Sequence, residues 1–267
     1  MNTQFDNETT PHQQQDGSWG LTLSDQWNIG ENPNGGYLII PALRAMQERE
    51  EHPDPLSVTA HFLRPGTGDA PAQINTEVVR SGRSVTTARG SLSQNGTTRL
   101  ELIAAFGNLI DGTGHHYEIS VPPPMIPPPE DCFGRSGEQQ GVDLVINNRI
   151  EMRMVPVDEN SEEPKKAEVS GWIRLLDGRD PDALSLVLFA DAFPPPIFSY
   201  VGRVGWVPTI EFTAHIRCRP APGWVQGKFW TEDLKDGRMI ETGLLWDSTG
   251  ALVAQSRQLA MFLPLDT

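Results

Sequence analysis

The sequence predicts an α+β fold of two tandem units, each with a long central helix wrapped by a curved antiparallel sheet. One observation is a repeat: an Arg-Pro pair, an apolar run, a Gly-Arg pair and two alternating runs divided by a turn occur twice. The proline and the glycine are 17 positions apart in both copies, Pro65 to Gly82 and Pro220 to Gly237. The other observation is that one long apolar segment with helical spacing precedes each copy. A repeat this long indicates a duplicated domain.

Length and composition indicate a protein with a sizeable core and no basic surface. The chain has 267 residues, of which 37% are hydrophobic, and its formal net charge is −14. This charge argues against nucleic acid as a partner, because there is no positive field to attract phosphates. An anionic ligand stays possible, since a few arginines can dominate the potential at short range.

The two cysteines and the termini point to a cytoplasmic protein. Cys132 and Cys218 lie in different halves and form no Cys-x-x-Cys pair, so two reduced thiols are expected. The N-terminus has no apolar run of signal-peptide length, and no segment is expected to span a membrane. We therefore expect a cytoplasmic location.

The first half is predicted to run from a tail through a strand and a helix into a meander. Residues 1–16 are polar and acidic, which predicts a disordered tail. Residues 19–27 alternate like a strand. An Asn-Gly-Gly turn then opens a helix predicted over 37–49, which is apolar on several sides and so should be buried. The four predicted strands that follow are about 55–64, 71–81, 84–93 and 98–107.

The second half follows a break in the pattern and repeats the same order. Residues 111–146 contain two proline triplets, which predict an extended, semi-rigid linker between units 17–110 and 147–264. A helix with an Asp-Pro-Asp start is predicted over 181–192 and ends before a third proline triplet. The predicted strands are about 147–155, 167–175, 206–218, 222–233, 238–247 and 251–262.

A sheet that curls around one buried helix in each half fits this order of elements. It is the hot-dog arrangement, and two copies make a double hot-dog. An unrelated α+β repeat is the alternative.

Six segments make the chain resemble the type II acyl-CoA thioesterases, the TesB-like proteins of the thioesterase-like superfamily. No single motif is specific, but their order and spacing together are. The likeness extends over about residues 19–263, apart from the linker. The segments are 33–36, 61–65, 81–89, 188–191, 208–211 with 219–220, and 255–262.

The resemblance implies an enzyme that hydrolyses acyl-CoA to a free acid and CoA without a metal or redox cofactor. In the family, an Asp, a Thr and a Gln hold the attacking water. Carried over to this sequence, they are Asp191 at the end of the second helix, Thr209 on the next strand and Gln258 on the last strand. Thr213 is an alternative to Thr209, because this strand is about one residue longer than in the family pattern. Gln255 is an alternative to Gln258.

Four further residues are predicted to bind the substrate. Gly35 and Gly36 open a helix whose N-terminal N–H groups can bind an oxyanion or a thioester carbonyl. His61 lies inside a motif, although a strand histidine that faces solvent or the core is an alternative. Arg64 lies near a strand end, where an arginine can contact CoA phosphates. The resemblance also implies a homodimer or a larger homo-oligomer.

A function of a different class stays open. The same fold could serve a non-catalytic acyl-CoA or acyl-ligand-binding protein, since fold does not determine function. A covalent acyl-serine route is disfavoured, because the sequence contains no Gly-x-Ser-x-Gly motif. For the thioesterase, the apolar helices are expected to line a tunnel for the acyl chain.

Overall fold

The structure is a computed structural model that describes residues 3–48, 52–109, 119–137, 141–156, 164–202 and 206–263. Its helices are α1 (Gln4–Thr9), α2 (Gly35–Gln47), α3 (Ala183–Ala192) and α4 (Ile197–Val201). Its strands in the first half are β1 (His12–Gln13), β2 (Trp19–Leu23), β3 (Asn28–Ile29), β4 (Asn32–Pro33), β5 (Asp54–Phe62), β6 (Ala70–Ser81), β7 (Thr86–Gln94) and β8 (Thr97–Gly107). Those of the second half are β9 (Phe133–Gly134), β10 (Ile150–Met154), β11 (Glu168–Leu175), β12 (Thr209–Ile216), β13 (Val225–Lys235), β14 (Arg238–Trp246) and β15 (Leu252–Met261).

One antiparallel sheet of 13 strands joins the two halves, in the order β1-β2-β6-β7-β8-β5-β12-β15-β14-β13-β11-β10-β9. Its centre is the pair β5–β12, in which His61 lies opposite Glu211 and Thr59 lies opposite Thr213. Each of these two strands follows the central helix of its own half. The strand order is therefore nearly symmetric about this pair, as a duplication predicts.

Helices α2 and α3 pack against each other and against the sheet. Every residue of α3 except Asp191 is buried, and so is α2 from Gly36 to Leu43. The prediction that both helices are buried on several sides is confirmed. Their burial follows from sequence, because neither helix has a polar face wide enough to meet solvent.

The predicted strands of both meanders are confirmed to within a few residues of their bounds. The predicted strand 19–27 differs at its end. Strand β2 stops at Leu23, and a turn of 3₁₀-helix covers Asp25–Trp27. The Ser24 hydroxyl accepts a hydrogen bond from the Gln26 N–H at 3.2 Å, which caps that turn and ends the alternation.

The predicted disordered tail over residues 1–16 is wrong for the part that the structure describes. Helix α1 buries Phe5, which is 1% exposed and lies between the guanidinium groups of Arg44 and Arg179. Asp6 binds Arg44 at 2.6 Å and Arg179 at 3.1 Å. One aromatic anchor and a carboxylate between two cations thus order a segment of otherwise polar composition, and connect α2 to the second half.

The proline-rich segment from 119 to 129 lies along the outer face of the second half, as an extended strap. Three side chains of that face donate hydrogen bonds to carbonyls spaced three residues apart. This is the period of polyproline II, which presents every third carbonyl to the same side. Trp246 Nε1 donates to Val121 O at 2.7 Å, Gln226 Nε2 to Pro124 O at 2.7 Å, and Trp172 Nε1 to Pro127 O at 2.9 Å.

Residues 183–201 have the length and hydropathy of a membrane span, although the sequence was not expected to contain one. However, 67% of that window is buried inside the protein, as in the core helix of a soluble protein. It is also divided, because α3 ends at Ala192 and α4 begins at Ile197.

Candidate active site

A cavity of about 370 Å³ lies where the start of α2 meets the end of α3 and the strands β12 and β15. It brings together residues that are distant in sequence. The three predicted catalytic residues, Asp191, Thr209 and Gln258, all line it. Gly35 and Arg64 line it as well. Most of the remaining lining is apolar, including Leu38, Phe62, Phe193, Phe198 and Met261.

The Asp191 carboxylate lies at the N-terminus of α2, although it belongs to α3. Its Oδ2 accepts hydrogen bonds from the Asn34 side-chain amide at 2.8 Å and from the Gly36 N–H at 2.7 Å. The C-terminal end of α3 disfavours a negative charge, whereas the N-terminal end of α2 favours it. The second half therefore supplies the carboxylate, and the first half holds it.

Asn34 has two roles at this junction that the sequence did not reveal. Its Oδ1 accepts a hydrogen bond from the Tyr37 N–H at 3.0 Å and so caps α2. Its Nδ2 donates to Asp191 at the same time. The Asn-Gly-Gly motif at the helix start was the available signal for such a role, but it does not indicate a partner 157 positions away.

Burial raises the pKa of Asp191 from 3.8 to about 6. Removal of water from around the carboxylate is the main cause, and hydrogen bonds from Gly36, Asn34 and Gly35 counteract part of it. The carboxylate is partly exposed to the cavity, yet protein atoms surround it. A carboxylate with a pKa near 6 is a stronger base than an ordinary aspartate and is still mostly ionised at neutral pH.

Thr209 faces the cavity because of a β-bulge. Strand β12 pairs Thr209 with Ala260 but Glu211 with Leu259, so one extra residue is inserted between these pairs. The bulge turns Thr209 to the face opposite that of Thr213, which contacts Thr59 across the central strand pair at 2.9 Å. The extra residue in this strand thus rules out Thr213, the predicted alternative, as a cavity residue.

Gln258 rather than Gln255 belongs to the cavity. Gln258 is buried on the inner face of β15, whereas Gln255 is exposed on the outer face. The Thr209 hydroxyl donates a hydrogen bond to Gln258 Oε1 at 3.1 Å. Thr209 and Gln258 therefore form a connected polar pair on the wall of an otherwise mainly apolar cavity.

Two predicted substrate-binding roles need correction. His61 is exposed and is not among the cavity-lining residues, because strand alternation directs Phe62 inward instead. The N–H groups of Gly35 and Gly36 were predicted to be free for an oxyanion, but both hydrogen-bond to Asp191. Arg64 does line the cavity, with an exposed side chain at its rim.

The absence of a side chain at Gly36 allows the two helices to approach this closely. A Cβ atom there would lie 2.9 Å from Leu188 Cα and 3.1 Å from Asp191 Cβ. Both neighbours belong to the rigid end of α3, so neither can give way without moving the helix. The contact between Gly36 and α3 therefore sets the distance between the helices and the position of the carboxylate.

We expect Gly36→Ala to lower the free energy of unfolding by roughly 1–3 kcal/mol, since overpacking against backbone costs more than improved helix propensity returns. Chemical denaturation measures this difference. Gly134→Ala is the matched control, because a Cβ at that position meets nothing within 4 Å. Equal stability of Gly36→Ala and wild type would show that the helices can separate at no cost.

Comparison with known proteins identifies the family. Residues 23–107 match a family model described as the acyl-CoA thioesterase N-terminal domain, and residues 123–262 match the acyl-CoA thioesterase C-terminal domain. The second match begins inside the predicted linker 111–146, so part of the proline-rich segment belongs to the region matched by the C-terminal domain model. The order of the two matches agrees with the duplication.

Relatives of known structure have the same fold. A candidate thioesterase II from Thermobifida fusca is 32% identical, with a TM-score of 0.87 and 98% of each chain covered. A protein of unknown function with a hot-dog fold from Alicyclobacillus acidocaldarius is 22% identical, with a TM-score of 0.85 and 100% of each chain covered. An uncharacterised protein from Mycobacterium tuberculosis is 28% identical over 90% of this chain and 89% of its own length.

Proposed function

Because the chain belongs to the acyl-CoA thioesterase family, we propose that it hydrolyses acyl-CoA to a free carboxylic acid and CoA. The observation that carries the proposal is the convergence of Asp191, Thr209 and Gln258 on one largely apolar cavity. The carboxylate has a raised pKa and the two polar side chains are hydrogen-bonded to each other. This combination suits the activation of a water molecule beside an acyl chain.

The proposed reaction needs no covalent enzyme intermediate. Asp191 accepts a proton from a water whose oxygen attacks the thioester carbonyl carbon. The Thr209 hydroxyl donates a hydrogen bond to Gln258, so the Thr209 oxygen can accept a hydrogen bond from the second hydrogen of that water. The tetrahedral intermediate then releases the CoA thiolate, which takes the proton from Asp191. Water and thioester are thereby converted to acid and thiol, and the carboxylate is regenerated.

The rest of the cavity supports an acyl-CoA substrate. The apolar residues Leu38, Phe62 and Phe193 provide a surface for an acyl chain. Arg64 at the rim provides a cation for the phosphates of CoA. The positive end of α2 holds the Asp191 carboxylate beside the bound thioester.

The fold-level part of the proposal is a double hot-dog with units 17–110 and 147–264. The tandem family matches and the near-symmetric strand order support it. Assembly into a homodimer or a larger homo-oligomer and a cytoplasmic location stay predictions from the sequence.

Release of CoA from acyl-CoAs of short, medium and long chain tests the function. We expect the purified protein to release free thiol and acid in equal amounts, with a preference for chains that fill the apolar cavity. A thiol reagent follows the CoA, and chromatography follows the acid. Binding of acyl-CoA without turnover on any chain length would instead establish a binding protein.

A further inference from the structure

Glu241 is a buried acid on the inner face of β14, beside the proposed catalytic residues. It is 5% exposed, and its inward neighbours along the strand are Met239, Gly243 and Leu245. Among the described residues, its Oε2 is one of the buried side-chain atoms without a hydrogen-bond partner. A buried carboxyl group on an apolar face costs folding free energy, so its presence requires a reason.

The structure provides that reason through Gln258. Glu241 lies directly opposite Gln258 in the pairing of β14 with β15, and their side chains hydrogen-bond. At its other end, Gln258 Oε1 accepts the proton of Thr209 at 3.1 Å. With Oε1 directed to Thr209, the Nε2 of the same amide is the atom that donates to Glu241. Gln258 therefore bridges Glu241 and Thr209.

We propose that Glu241 is a positioning residue that fixes the orientation of the Gln258 amide and, through it, the direction of the Thr209 hydroxyl. An amide can rotate by half a turn with little change in shape, so its two ends must be distinguished by their partners. An oxygen acceptor at position 241 requires the NH₂ end to face it. The oxygen end must then face Thr209.

This orientation matters for the chemistry, and the inference rests on the proposed thioesterase function. In the observed orientation, the Thr209 hydroxyl donates its hydrogen bond to Gln258, and the Thr209 oxygen accepts a hydrogen bond from the water. In the rotated orientation, the NH₂ group would donate to Thr209, whose own proton would then point into the cavity. The Thr209 proton would then hydrogen-bond to a lone pair of the water oxygen. That lone pair is the one needed for attack on the thioester carbon.

Glu241 does not compete with Asp191 for the role of base. Burial raises the pKa of Glu241 from 4.5 to about 8, and the nearby charge of Asp191 contributes to the increase. Asp191, with a pKa of about 6, ionises first. At neutral pH the site therefore holds one carboxylate, at Asp191, and a neutral carboxyl group at Glu241. With its proton on Oε2, the oxygen without a hydrogen-bond partner, the Glu241 Oε1 is a carbonyl oxygen that accepts from Gln258.

The test is a set of variants at position 241, compared by kcat and KM for acyl-CoA hydrolysis. Glu241→Leu and Glu241→Met remove the acceptor, and we expect kcat to fall about tenfold, the effect of one lost hydrogen bond, with KM little changed. Two hydrophobic variants are used so that a folding defect in one does not decide the result. Glu241→Gln keeps a carbonyl acceptor and should restore most of the lost kcat.

A double variant separates positioning from general packing. Because Glu241 acts through Gln258, Glu241→Leu should cause no further loss of kcat in a Gln258→Ala background. Met239→Leu is the matched control on the same face of β14, and it should leave kcat unchanged. Melting temperatures identify variants that fail to fold.

The outcomes distinguish this inference from the proposed function. If the wild type turns over acyl-CoA and folded Glu241→Leu and Glu241→Met have the same kcat as the wild type, the role of Glu241 is overturned and the proposed function stands. A full additive loss in the double variant would also overturn it, since that result requires an action independent of Gln258. Absence of turnover in wild type on every acyl-CoA would overturn the function and the inference together.

Discussion

Replacement of Asp191 by asparagine is expected to lower the rate of thioester hydrolysis by about 10²- to 10⁴-fold, the usual cost of losing a positioned general base. The substitution keeps the shape of the side chain. Asn34 and Gly36, two of the three donors to Asp191, donate to the same oxygen, so the single carbonyl oxygen of asparagine can accept both of these hydrogen bonds. The loss of activity would therefore report the loss of the base and not a displacement of the helices.

The other two proposed catalytic residues should have smaller effects. Thr209→Val and Gln258→Ala remove groups that orient the water, while the base stays in place. We expect each to cost less than Asp191→Asn when all are measured with the same acyl-CoA. An effect of Thr209→Val equal to that of Asp191→Asn would mean that Thr209 takes part in the proton transfer itself.

Controls for the Asp191 variant concern folding and binding. Its melting temperature at neutral pH should not fall, because the substitution removes a carboxylate whose burial is unfavourable. Its affinity for CoA should change little, since Asp191 is not proposed to contact the nucleotide. Asp180→Asn is a matched control, because Asp180 is exposed just before the same helix. Wild-type turnover by folded Asp191→Asn would exclude the proposed role.

Most elements of this fold follow from local sequence patterns. The bounds of α2 and α3 and of the eight long meander strands depend on hydrophobic period and turn residues, which act over a few positions. The likeness to a family then places Asp191, Thr209 and Gln258 in one set, and the structure places them in one cavity. Local chemistry and family likeness together were thus sufficient to select three residues that share one cavity.

Contacts between distant segments could not be predicted in this way. Asn34 and Asp191 are 157 positions apart, and no local pattern relates the start of one helix to the end of another. The folding of the N-terminal segment as α1 likewise depends on the contact of Phe5 with two arginines from different halves of the chain. Such contacts arise only when the two units pack together.

Departures from regular strand geometry were also hidden. The stretch from Thr209 to Thr213 reads as a regular alternation, which would place both threonines on one face. The β-bulge reverses that relation and has no residue-level signal such as a glycine. The inward position of Glu241 is similarly unexpected, because an acid in an alternating strand is usually on the solvent side.

The pH dependence of kcat/KM should show an acid limb with a midpoint near the Asp191 pKa of about 6. Only the carboxylate form can accept a proton from water, so kcat/KM should be near its maximum at neutral pH. Below the midpoint it should fall about tenfold for each pH unit. An ordinary aspartate, with a pKa of 3.8, would place this limb about two units lower.

The fall in kcat/KM at acid pH should not result from unfolding of the protein. Folding raises the pKa of Asp191, so protonation of this residue stabilises the folded state. This stabilisation is fully present below pH 3.8 and is lost as the pH rises through about 6. Other carboxyls, such as Asp6, Glu151 and Asp247, have lowered pKa values and destabilise the protein only when protonated in more acidic solution. Between about pH 5 and 6 activity should therefore fall while the melting temperature holds.

The Asn34→Ser variant tests whether ionisation of Asp191 causes the acid limb of the pH profile. Serine can still cap α2, but it lacks the amide that donates to the carboxylate. Because that hydrogen bond lowers the pKa of Asp191, its loss should move the limb to higher pH. Gln255→Ala, on the exposed face of β15, should leave the limb in place. A midpoint near 4 in wild type, or an unmoved midpoint in Asn34→Ser, would mean that another group controls the acid limb.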